Sequence, residues 1–108
     1  MENKDIDIIK NMRTVEWLKA QLISTVADLY GTLANGELNT KENLQDVISN
    51  LILESLLLGK RLGLTYENMV LALKENIKMN LIEEHKIEKS YGDLSILLKF
   101  IEENRDER

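Results

Sequence analysis

Asp28 and Asp46 are the residues of this chain best suited to chemistry, because each sits in a row of small polar side chains on what reads as its own helix. Asn43, Asp46, Asn50 and Glu54 follow at spacings of 3, 4 and 4 and so stack on one helix face. Gln21, Ser24, Thr25, Asp28 and Thr32 form a matching row on the preceding helix, uncharged apart from the one aspartate. With 31% of residues charged, a solvated face would be expected to carry Lys, Arg or Glu. The two rows therefore read as facing walls of a partly buried cleft. Hard dications such as Mg²⁺ take oxygen ligands, usually one or two carboxylates completed by water and substrate phosphates. Helical bundles build such sites from acids on neighbouring helices. The same residues also suit an ordinary solvated face or a hydrogen-bonded network, and spacing alone leaves these alternatives open.

The other reactive side chains carry less. Trp17 lies at the upper end of the first row and reads as a core or interface anchor before it reads as a stacking platform. His85 is the only histidine, set among Glu83, Glu84, Lys86 and Glu88, and one histidine does not make a zinc site of the usual type. No serine stands in a nucleophile motif and there is no glycine-rich phosphate loop, so no catalytic residue is assigned. The absence of cysteine excludes thiolate metal sites, disulfides and a Cys nucleophile, and suits a reducing compartment.

Positioning these groups requires helices, and the periodicity supplies them. Val15, Leu18, Leu22, Val26, Leu29 and Leu33 recur at 3 or 4 residues and predict an amphipathic helix over 14–34. Residues 1–13 are a lead-in, either a short helix or the first turns of the next. Asn35-Gly36 is expected to end the helix through a left-handed glycine. Asn39 is expected to cap the next, with Glu42 three residues on. That central helix runs to Gly63 and is apolar on more than the usual ~100° stripe. Thr65 caps a third helix with the stripe Met69, Val70, Leu73, Ile77 and Leu81. The polar stretch 83–92 prolongs it or bends away, Asp93 caps a last helix, and 103–108 is a solvated tail.

The expectation is an all-α, single-domain chain over 1–108 with four or five helices and no strands. Leu53 and Leu57 fall on the side of the central helix that water would otherwise cover, and they predict a homodimer or higher oligomer with these residues at the interface. A formal charge of −5 and no basic patch in the sequence argue against nucleic acid as a partner. The N-terminus has no signal-peptide pattern, and the longest apolar run is far short of the ~20 residues of a membrane span. The expectation is a soluble, cytoplasmic protein.

Three segments, EWLKAQLISTVADLYGTL (16–33), LLLGKRLGLTYENM (56–69) and EEHKIEKSYGDLSILLKF (83–100), resemble the MazG-like branch of the all-α nucleoside-triphosphate pyrophosphohydrolase superfamily. The resemblance covers nearly the whole chain. It implies a helical fold, assembly into dimers or tetramers, and cleavage of nucleoside triphosphates to monophosphate and pyrophosphate. Mg²⁺, or alternatively Mn²⁺, would be held by an EExxE motif on one helix and an ExxD motif on the next. Here Ser24 and Thr25 stand at the first two glutamates and Asp28 at the third, while ENLQDV puts Asn43 at the ligand glutamate and Asp46 at the aspartate. Two of five acids remain. Each loss removes negative charge facing a dication, so the resemblance implies nucleotide binding with weak or lost hydrolysis, or a fold kept for assembly. Nucleotide-binding candidates are Trp17, Gln21, Ser24, Thr25, Asn43, Asn50 and Glu54, with His85 and Lys89 reaching phosphates if 83–93 folds over the cleft.

Overall fold

The computed structural model describes residues 2–83 and 86–106. The described residues form five helices, α1 (Glu2–Ala34), α2 (Lys41–Arg61), α3 (Tyr66–Ile82), α4 (Lys86–Tyr91) and α5 (Asp93–Asp106), and no strand. The all-α expectation holds. No helix among them is long and apolar enough to cross a membrane. The chain divides into two compact units, Met1–Tyr66 and Glu67–Arg108.

The first unit is an antiparallel hairpin of α1 and α2. The lead-in has no break: its residues are the opening turns of a 33-residue α1. Leu18 and Thr25 are its buried positions, and Leu22, Leu29 and Thr32 are half-buried, a line at spacings of 4, 3, 4 and 3. Val26 and Leu33, expected in the seam, are exposed. The packed face is turned about one residue from the apolar stripe, so Thr25 goes inside and a valine outside. On α2 the line Leu44, Val47, Leu51, Glu54 and Leu58 is at least half-buried, and Gly59 beside it is buried.

Both ends of the hairpin loop differ from expectation in detail. Helix α1 stops at Ala34 without a left-handed Gly36; instead the Asn35 side chain accepts from the Glu37 N–H at 3.0 Å, a local Asx turn. Helix α2 is capped by Thr40 rather than Asn39: its hydroxyl accepts from the Asn43 N–H at 3.1 Å, and Glu42 lies one position too early to complete the box. At the other end the expectation holds. Gly63 has φ +95°, and the bonds from Leu64 N–H to Gly59 C=O (2.9 Å) and from Gly63 N–H to Lys60 C=O (3.1 Å) form a Schellman closure.

In the second unit α3 buries Ile77, with Met69, Val70 and Leu81 half-buried and Leu73 exposed despite its place in the stripe. The polar segment after α3 does not prolong it. It gives the short α4, which packs on α5. Gly92 (φ +69°) turns the chain between them. Asp93 is the first residue of α5 rather than its cap, and Glu88 supplies the missing acceptor: its carboxylate accepts from both the N–H (3.0 Å) and the hydroxyl of Ser95. These bonds to the charged form hold the Glu88 carboxyl below the usual glutamate range. The tail is helical as far as Asp106.

Candidate functional site

The two polar rows do meet. Thr25, Asp28 and Thr32 of α1 and Asn43, Asp46 and Asn50 of α2 line one groove of about 270 Å³ near the loop end of the hairpin, together with Leu38 and Val47. The antiparallel crossing explains the pairing, because residues approaching the loop on α1 face those just leaving it on α2. Thr25 is 7% exposed, so its hydroxyl lies at the base, while Asp28 and Asp46 are exposed at the rim. Two carboxylates and several neutral oxygens make up the donor set.

Asn43 is held by the loop. Its side-chain amide donates to the Leu38 carbonyl oxygen at 2.8 Å, while its own N–H bonds to Thr40. One N–H of the amide is thus used in closing the turn, and the side-chain carbonyl oxygen and the second N–H remain for a ligand.

Other candidates fall elsewhere. Ser24, which is exposed, lies off the groove wall; so do Gln21, which is half-buried, and Trp17, which is 60% exposed rather than an anchor in a core. Glu54 continues the α2 row but sits in the packed line, where its Oε1 is buried with no hydrogen-bond partner among the described residues. Lys89 lies on α4 in the second unit, and His85 lies outside the described residues. Leu53 and Leu57 are exposed, 52% and 38%. Sequence reasoning overlooked Leu38 and Val47 as lining residues because apolar side chains carry no chemical signal.

No group of three or more acids, histidines or cysteines fit to hold a metal exists among the described residues. The groove carries two carboxylates, fewer than two or three ions would need.

The site thus sits in a helical hairpin, with residues of α1 facing the segment Asn43–Asp46 of α2. The chain belongs to the MazG-like family, whose model matches residues 8–94. No curated protein and no solved structure matches it.

Proposed function

We propose that this MazG-like protein binds a nucleotide in the α1–α2 groove, with pyrophosphohydrolase activity weak or lost. The observation that carries this reading is the meeting of Asp28 and Asp46 in one groove whose other polar residues are neutral. Asp28 and Asp46 would hold one Mg²⁺ or Mn²⁺, and Thr25, Asn43 and Asn50 would offer neutral oxygens to its water shell. Such an ion neutralises phosphate charge and lowers the pKa of a bound water. With only two acids, most of the compensating charge has to come from the nucleotide itself, which favours binding over turnover. The cytoplasm, rich in nucleotides and Mg²⁺, is the setting this reading assumes.

A thermal-shift screen against nucleoside mono-, di- and triphosphates, with and without Mg²⁺ or Mn²⁺, tests it. A ligand at ~100-fold excess over Kd stabilises by about 2.7 kcal/mol, a rise in Tm of roughly 10 °C for a domain of this size. The shift should require metal and disappear in Asp28→Asn/Asp46→Asn, with little or no pyrophosphate released by the wild type. A shift unchanged in that double variant rules the groove out.

A second reading, a non-catalytic assembly protein, is favoured by the thin core. Among described side chains only Leu18, Val47 and Ile77 are buried apolar residues, while Ile48, Ile52, Leu53 and Leu57 of α2 are exposed. An apolar surface of this extent on one helix is usual where a partner covers it. Both readings share a homo-oligomer as the working state.

A further inference from the structure

Lys10 belongs to the first third of α1, and Lys60 and Arg61 end α2, yet one groove at the end of the hairpin away from the loop has all three on its wall. In a chain of net charge −5, Asp7 is the one acid lining it. Among the described residues none of the three cations is in an ion pair. Arg61 is fixed in place: the Asn11 amide donates to its carbonyl at 2.9 Å and accepts from its Nη1 at 3.3 Å. Lys60 Nζ lies 5.6 Å from the centre of the Tyr66 ring. Trp17, 60% exposed, supplies a flat apolar wall. The groove is open and offers about 940 Å³, within the range of small-ligand sites.

We propose that this groove is a second anion site, taking a small organic phosphate with a planar ring. Its phosphate would meet Lys10, Lys60 and Arg61, and its ring would lie on Trp17. Uncompensated cations beside exposed aromatic faces match that combination, since guanidinium and ammonium groups bind phosphate oxygens and π-faces stack with rings. A long polyanion fits less well: the chain as a whole carries −5, and a polyanion running past the groove would come within the Debye length of about 10 Å of its acids and be repelled. The site is separate from the aspartate groove, with which it shares no lining residue. Lys10 and Asp28 are ~27 Å apart along α1 at 1.5 Å per residue, too far for the phosphates of one nucleotide to touch both.

Trp17 is the only tryptophan, so intrinsic fluorescence reports on this groove directly. The full chain, in EDTA to silence metal-dependent binding, is titrated with adenosine mono- and triphosphate, exciting at the red edge where the base does not absorb. Inorganic pyrophosphate serves as competitor. The expected result is a saturable change in emission that pyrophosphate reverses. Lys10→Gln/Lys60→Gln should weaken it on the order of a hundredfold, each charged contact being worth about tenfold. Circular dichroism confirms the fold, and Lys10→Gln alone, at a side chain with no hydrogen bond or ion pair among the described residues, gives the same test at about tenfold. A flat emission, or one indifferent to both variants, overturns the proposal. A response that needs Mg²⁺ and is lost in Asp28→Asn/Asp46→Asn also overturns it, while supporting the aspartate groove.

Discussion

The side-chain amide of Asn43 donates to the carbonyl oxygen of Leu38 at 2.8 Å, tying the first turn of α2 to the loop before it. Together with the bond from Asn43 N–H to Thr40, it makes the position that resembles a metal-ligand glutamate part of the hairpin closure. A glutamate carboxylate has no proton to donate to Leu38, so the closure and the acid exclude each other. The departure from the family pattern thus has a structural counterpart in the loop.

Asn43→Glu should therefore show two opposed effects. Without metal it should lower stability by about 1 kcal/mol, the usual worth of such a hydrogen bond. With millimolar Mg²⁺ it should be stabilised more than wild type, because a third carboxylate faces the groove. Thermal melts with and without Mg²⁺ decide it; a variant as stable as wild type in EDTA would show that the Leu38 bond contributes nothing.

Capping gives a sharper contrast between neighbours. Thr40→Ala should cost ~1 kcal/mol, whereas Asn39→Ala should fall within ~0.5 kcal/mol of wild type. Urea denaturation reads both as shifts in midpoint at unchanged slope. Equal effects would contradict the cap at Thr40.

The two turn glycines should also part. Gly63 has φ +95°, and an alanine there would be strained by roughly 1–2 kcal/mol. Gly36 is not left-handed, and a Cβ at that position would meet nothing within 4 Å. Gly36→Ala should be neutral or stabilising by up to ~1 kcal/mol through the unfolded state. A lower melting temperature for Gly63→Ala and an unchanged or higher one for Gly36→Ala is the expected outcome.

The Glu88–Ser95 closure should be pH-dependent. Its carboxyl is held low by hydrogen bonds to Ser95, so the folded pKa lies below the unfolded value near ~4.3. The stabilisation is fully present above that unfolded value and is lost as pH falls through the folded pKa. The Ser95 amide resonance should follow this titration, and Glu88→Gln should abolish it. An amide insensitive to pH below 5 would show the bond absent in solution.

Assembly is tested at Leu53, which is exposed and lies outside both grooves. If the working state is an oligomer, Leu53→Glu should shift it to monomer in size-exclusion chromatography with light scattering, and lower Tm at low concentration. A wild type that is monomeric at all concentrations rejects the oligomer.

The sequence determined a good deal by itself. Apolar periodicity places α2, α3 and the end of α1 within a few residues, though not the start of α1, whose first twelve residues lie before the predicted helix; Gly63 marks the end of α2, and the segments 16–33, 56–69 and 83–100 carry the family. Asp28 and Asp46 stand out because a short loop between two helices must return α2 alongside α1, which brings residues flanking the loop together. Tertiary structure decided what periodicity leaves ambiguous. Successive helix positions differ by about 100°; apolar periodicity puts Val26 on the inner face and Thr25 off it, and only docking with α2 turns the face so that the threonine goes inside. The choice between Asn39 and Thr40 rests on where the loop bonds close, which depends on the Asn35 turn and the Leu38 carbonyl. The basic groove is the furthest from sequence. Lys10 and the Lys60–Arg61 pair are scattered charges in an acidic chain, and become a patch only because the hairpin folds the start of one helix onto the end of the next.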